Sequence, residues 1–379
     1  MIDRIRQQVR EAYGRAVGRP RGELVTPALI LDLDKVRRNI ETMAELRKGW
    51  RAALRPHFKA HKSPELARLQ VGAGTGGVCA ATVWEAIVLT RSGMDDVLIA
   101  NEVVGREKIR ALAAGARGHR LTLAVDDPRN ATEVADALRA AGGRLDVLID
   151  VDIGMGRGGV RSAGAAVALA GHVARLPGLR LRGVQGYEGH CMREADRAKR
   201  AAKVAGALDR LGAAAESLVR AGFACDVVSA GGTGTCEITG NDARVTEVQA
   251  GSYVLMDRFH GVLAPRFVPA LTVLGTVITH QGATLVLDCG RKSVGIDFGP
   301  PSLADYPFYE PRYLAEEHAI FDVDDRCRLS LGDTAELIPG YAPSTINLYD
   351  AYHVVEEGRV VDIWPILPRG PGHVGILSD

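Results

Sequence analysis

Lys59 lies in the stretch LRPHFKAHKSPELARLQ, residues 54–70, between the end of a short apolar run and the start of a helix. Ser63 is a good helix N-cap, Pro64 suits the first helical position, and ELARLQ continues with helix formers. The lysine therefore sits at or just past the C-terminal end of a strand, before a helix begins. In a protein of repeated strand–helix units that is where reactive groups gather. If burial lowers its pKa, an amine there can form a Schiff base with an aldehyde cofactor. Taken alone, the stretch reads equally well as a solvated basic loop.

Other chemically capable residues fall at comparable points. Asn101 ends DVLIAN. Arg157 follows DVDIGMG among small residues that let a ligand approach the backbone. Tyr187 and His190 lie in GYEGH. The turns SAGGTGT (229–235) and QAGSY (249–253) combine glycines with hydroxyls and can aim backbone N–H groups at an anion. One such turn is weak evidence; two at adjacent strand ends, with a lysine facing them, point to phosphate. Arg157 also reads as an ordinary helix-entry charge, and Tyr187 and His190 as rim residues. His57 and His61 flank Lys59 and serve as well to hold the loop as to touch a ligand.

The elements that must position these residues repeat along the chain. Apolar runs at 28–34, 51–58, 76–82, 96–101, 121–127, 146–154, 182–190, 226–233 and 246–254 alternate, up to the eighth, with helical stretches. Continuous Val/Ile/Leu runs imply strands buried on both faces, hence a parallel sheet wrapped in helices. Eight or nine such units in about 230 residues favour a closed (β/α)8 TIM-like barrel over an open sheet. After residue 256 short β-branched runs follow one another without strong helices, the pattern of a mostly antiparallel β domain. The expected organisation is a surface helix and lead-in over 1–24, the barrel over 25–255 and the C-terminal β domain over 256–379.

The 379-residue length suits a barrel plus a smaller domain, and a net charge of +1 gives no electrostatic case for nucleic acid or anionic membrane. The six cysteines contain no CxxC pair and read as reduced thiols. No apolar run reaches the roughly 18 residues of a membrane span. The N-terminus lacks an apolar h-region and carries Asp3 and Glu11, which argues against a transit peptide. A cytoplasmic protein is expected.

In combination, TPALILDLD, RPHFKAHK, ATVWEA, DVLIANEVVG, DIGMGRGGV, GYEGH, SAGGTGT and QAGSYVLMD resemble the barrel of fold-type III (alanine racemase-like) pyridoxal-phosphate enzymes. More narrowly they resemble the branch of D-threonine aldolase and eukaryotic-type D-serine dehydratase. DCGRKSVGIDFGPP, the EEH at 316–318 and INLYD…VVDIWPILPRG match that branch's C-terminal domain. The resemblance implies that Lys59 carries pyridoxal 5'-phosphate as a Schiff base. It places Arg157 near the phenolate oxygen and Tyr187 beside the ring. It places Ser229, Gly231, Gly232 and Thr233, with Gly251, Ser252 and Tyr253, around the phosphate. A head-to-tail homodimer is implied by the same likeness.

One departure bears on the reaction. The resemblance implies a divalent-metal pair, a His followed two residues later by Cys or Asp, before a Thr-Val-Asn-Leu-like run. Here IPGYAPSTINLYD puts Tyr341 and Pro343 at those places. Neither is a usual ligand for Mn²⁺, Mg²⁺ or Zn²⁺, so no metal is expected there. Three chemistries follow. Retro-aldol cleavage of D-β-hydroxy-α-amino acids to glycine and an aldehyde would need His190, Tyr341 or His318 as base. A racemase or epimerase would use Lys59 and Tyr341. A dehydratase would have to expel hydroxide without a Lewis acid. A non-catalytic pyridoxal-phosphate carrier fits less well, because the chain adds a full C-terminal domain.

Overall fold

A computed structural model describes residues 2–372, which fall into two compact units. Residues 44–59 and 66–251 form one of them. Its strands are β2 (Ala53–Leu54), β3 (Val78–Ala80), β4 (Asp96–Ile99), β5 (Arg120–Val125), β6 (Leu145–Asp150), β7 (Leu179–Gln185), β8 (Val227–Ala230) and β9 (Glu247–Val248). All are parallel, in the order β2-β9-β8-β7-β6-β5-β4-β3. A bridge between His57 and Cys79 and the bond from Cys79 N–H to Pro56 O join the first strand to the last and close the barrel.

The connecting helices include α4 (Val83–Arg91), α5 (Arg106–Gly115), α6 (Pro128–Ala141), α7 (Ala163–Val173) and α8 (Arg197–Arg220). Their starts are written locally: Thr82, Asp127, Ser162 and Asp196 each accept a backbone N–H from the first helical turn. Inside the barrel Cys79, Leu98 and Leu148 pack together as one layer. Each fully buried aliphatic side chain of this kind contributes roughly 1.5–3 kcal/mol. The N-terminal end is closed by charge instead. Arg55 reaches Glu247 at 2.6 Å and Asp96 at 2.9 Å, while Asp146 takes Arg180 at 2.6 Å and Arg182 at 3.0 Å.

The second unit comprises residues 2–43, 60–65 and 252–372. Its nine-stranded sheet runs β13-β14-β11-β10-β1-β16-β17, with β15 also on β10 and β12 on β15. These strands are β1 (Ala28–Asp32), β10 (Leu271–Gln281), β11 (Thr284–Leu287), β12 (Ser302–Leu303), β13 (Pro311–Leu314), β14 (Ala319–Asp322), β15 (Thr334–Ile338), β16 (Ala351–Glu356) and β17 (Arg359–Pro365). Every pairing is antiparallel except β1 with β16.

Two expectations need correcting. The run at 28–34 does not open the barrel: β1 lies between β10 and β16, and eight later strands make the barrel alone. A fully apolar run signals burial on both faces but not which partners bury it, so the two sheets look alike from sequence. The N-terminal helix (α1) spans Ile2–Tyr13 within the expected 1–24 lead-in, and it is not purely superficial. Val9 joins Ile30, Leu274 and Val360 in a core cluster. All six thiols are free. No helix among the described residues is long and apolar enough to cross a membrane.

Candidate active site

The C-terminal face of the barrel brings Lys59, Tyr187 and Arg157 together. Lys59 follows β2, in a single 3-10 turn over Phe58–Ala60. Its Nζ lies 5.5 Å from the centroid of the Tyr187 ring, and the Arg157 guanidinium carbon lies 5.8 Å from the same centroid. Desolvation lowers the Lys59 pKa, the Arg157 charge lowers it further, and Glu85 and Cys79 only partly oppose. More of the amine is therefore neutral, and nucleophilic, at neutral pH.

Arg157 is exposed on the loop between β6 and α7. Two carboxylates shape that loop. Asp152 Oδ1 accepts the N–H groups of Gly154 and Gly156 at 3.0 and 2.9 Å, and Asp126 Oδ2 accepts that of Gly159 at 2.9 Å. Gly159 has φ +94°, and a Cβ there would come within 2.6 Å of Asp152 N, so no larger residue fits. Asn101, after β4, reaches the Ala81 carbonyl at 3.5 Å.

After β8 the turn is organised by a residue that motif reading passed over. Glu188 is fully buried, in the GYEGH segment between Tyr187 and His190. Its carboxylate accepts Gly231 N–H at 3.0 Å, Thr235 Oγ1–H at 2.9 Å and Thr239 Oγ1–H at 2.6 Å. Gly232 N–H goes to Thr235 Oγ1 at 3.1 Å. Ser229 Oγ–H goes to Glu247 at 2.8 Å and receives Gln249 Nε2–H at 2.9 Å. The amides of Gly231 and Gly232 and the Ser229 hydroxyl are thus engaged within the protein. Thr233 is buried beside them, and a Cβ at Gly232 would strike Met192 at 2.5 Å. The only signal for Glu188 was a charged residue between two glycines.

His190 lies in the 3-10 turn Gly189–Arg193. Its Nε2 is 3.5 Å from Cys191 Sγ, and its buried Nδ1 has no hydrogen-bond partner among the described residues. Gly251 is buried after β9.

In the other unit, Ser252 starts a short 3-10 turn, and Tyr253 is a core residue whose ring lies 5.6 Å from Phe267. Tyr341 is the residue before helix α11 (Ala342–Ile346), and Pro343 is that helix's second residue. The Tyr341 ring stacks on His260 at 5.8 Å and 19° and packs against Phe298 at 4.6 Å. Burial, with Asp257 and Asp297, pushes its phenol up to about 12. Asp257 is fully buried and accepts His260 N–H at 2.7 Å and Ala342 N–H at 2.8 Å, with His260 Nδ1 at 2.9 Å. His318 is exposed between β13 and β14, whereas His353 is buried on β16 with Nδ1 3.3 Å from Leu29 O.

The alanine racemase N-terminal domain model matches residues 31–258, and a putative serine dehydratase domain model matches residues 270–355. A D-threonine aldolase of Arthrobacter sp. is 37% identical over 93% of this chain and 95% of its own length. A 3-hydroxy-D-aspartate aldolase of Paracoccus denitrificans (strain Pd 1222) is 34% identical over 94% and 95% respectively. The crystal structure of D-threonine aldolase from Filomicrobium marinum superposes with a TM-score of 0.89 at 36% identity, covering 92% of this chain and 97% of that one. With a buried lysine, an arginine and a tyrosine converging at the barrel mouth and these likenesses along nearly its whole length, the chain belongs to the D-threonine aldolase family of fold-type III pyridoxal-phosphate enzymes.

Proposed function

We propose that this chain is a pyridoxal-phosphate-dependent lyase that cleaves D-β-hydroxy-α-amino acids to glycine and an aldehyde. The observation that carries the reading is Lys59, an amine with lowered pKa at the C-terminal end of a barrel strand, facing Tyr187 and Arg157. The residues present fit the cofactor. Lys59 would hold its aldehyde carbon, Arg157 its phenolate oxygen and Tyr187 its ring. Its phosphate would lie at the turns after β8 and β9, where Ser229, Gly231 and Gly232 already spend donors on shaping the turn. When bound, the cofactor supplies an electron sink for the bond broken at Cα.

Lys59, once released by the substrate amine, moves the proton at Cα. The proton of the β-hydroxyl is assigned to His190, in the 3-10 turn that follows Tyr187. Tyr341 is poorly suited to that role, because with its phenol pushed up to about 12 it stays protonated near neutral pH and can only donate. Tyr341 and Pro343 do not fit a divalent metal, so the deprotonation is assigned to a side chain. On the family resemblance we further propose a cytoplasmic homodimer, whose mass sedimentation equilibrium will report.

The test is aldehyde release from D-threonine and D-phenylserine in the presence of EDTA. Acetaldehyde and benzaldehyde are the expected products. No aldehyde from either substrate, with or without added Mn²⁺, ends the reading. Solvent deuterium entering Cα without cleavage would assign racemase chemistry instead.

A further inference from the structure

Tyr187 lies just past β7 and just before the 3-10 turn Gly189–Arg193. Lys59 Nζ and the Arg157 guanidinium carbon lie 5.5 and 5.8 Å from its ring centroid. An aromatic side chain at a strand end has several rotamers open to it, so its place is set by what touches it. Contacts on two ring edges and at the hydroxyl do so here.

One edge of the ring lies on Gly189, where a Cβ would come within 2.4 Å of Tyr187 Cε1 and 2.9 Å of Cζ. The opposite edge lies on Gly232, in the turn after β8, where a Cβ would stand 3.3 Å from Tyr187 Cε2 and 3.6 Å from its Oη. The same Cβ would be 2.5 Å from Met192 Cε, so the Met192 methyl and the Tyr187 ring share the space that Gly232 leaves open. Neither glycine adopts a left-handed φ. A side chain is excluded at both by Tyr187 and Met192, and not by the conformation of the backbone itself. Met192 is only 7% exposed, and its Sδ lies 4.0 Å from the Tyr187 hydroxyl. An unbranched thioether fills such an irregular gap well, and its sulfur is a weak acceptor. Glu188, between Tyr187 and Gly189, accepts the Gly231 N–H at 3.0 Å and ties this segment to the turn after β8.

We infer that Gly189, Gly232 and Met192 form the seat of the Tyr187 ring and act as its positioning residues, holding it where the cofactor's ring comes to lie. Gly189 admits one edge, Gly232 admits the other, and Met192 closes the seat at the hydroxyl. The position of the ring thereby depends on the turn after β8. The inference rests on the reading of Tyr187 as the neighbour of the cofactor's ring.

The test is a double-mutant cycle, read as the dissociation constant of pyridoxal phosphate from equilibrium dialysis. Gly189→Ala, Met192→Ala and Met192→Leu are each made in wild type and in Tyr187→Ala. In wild type, Gly189→Ala should weaken binding about tenfold and Met192→Ala about threefold or more. Met192→Leu, which nearly conserves the volume, should stay within about twofold of wild type. With no ring to displace, all three should change the constant less than about twofold in Tyr187→Ala. Damage to the fold alone would weaken binding equally in both backgrounds. Equal effects in the two backgrounds, or no effect in wild type, overturn the inference. Where Gly189→Ala does not fold, as far-ultraviolet circular dichroism will show, the Met192 arm decides by itself. Borohydride reduction and peptide mapping of wild type separate the two readings. Without a reduced adduct on Lys59 the cofactor assignment fails; with it, equal effects in both backgrounds refute only the seat.

Discussion

Replacing Glu188 by glutamine changes one oxygen to an NH2 group inside a site that holds three donors and no solvent. In the native protein both carboxylate oxygens are used, one by Gly231 N–H and the other by the hydroxyls of Thr235 and Thr239. The amide oxygen can serve one side only. If it turns to the threonines, Gly231 N–H faces another donor and is orphaned. If it turns to Gly231, both hydroxyl hydrogens need new acceptors, and only Thr235 has one near, the Gly232 carbonyl at 3.3 Å. Either way one buried donor goes unmet, a cost of about 1–3 kcal/mol. Glu188→Ala orphans all three and leaves a cavity, so about 3–6 kcal/mol is expected, a large share of a total stability on the order of 5–15 kcal/mol. Urea denaturation followed by circular dichroism measures both. The glutamine variant should lose stability at an unchanged denaturant slope, and the alanine variant two to three times as much. The reasoning is refuted if Glu188→Ala lies within about 1 kcal/mol of wild type, well below the cost of the donors it strands.

Asp257→Asn should cost about 1–3 kcal/mol for the same kind of reason, since Asp257 serves His260 and the Ala342 N–H at once. Near-ultraviolet circular dichroism should report loosening of the Tyr341–His260 stack. At the base of the barrel, burial opposes ionisation of Asp146, but Arg180 and Arg182 outweigh it and hold the carboxyl below its usual range. A carboxyl depressed in the folded state contributes stability above its unfolded pKa of about 4, and that contribution is lost as pH falls through the folded value. In a series of urea midpoints from about pH 3 to pH 6, Asp146→Asn should therefore be compared most unfavourably with wild type at the upper end, and the gap should narrow toward acid. A constant gap across the series would show that the loss is one of packing alone.

Much of this protein was legible without coordinates because its signals are local. Ser63-Pro64 after the lysine marks the start of a helix, and that helix does begin at Pro64. Once the boundaries are known, strand–helix alternation places Lys59, Arg157, Tyr187 and His190 on one face, since parallel strands in a barrel all end together. What stayed hidden depends on partners far along the chain. Whether Ala28–Asp32 pairs with a barrel strand or with β10 and β16 is decided more than 200 residues away. Glu188 looks like any acidic residue until the fold removes its water and sets donors against it. The order of residues established which groups are available and roughly where each strand ends. Their charge was settled by the folded chain, because charge follows burial and neighbours, as Lys59 with its lowered pKa and Tyr341 with its raised one both show.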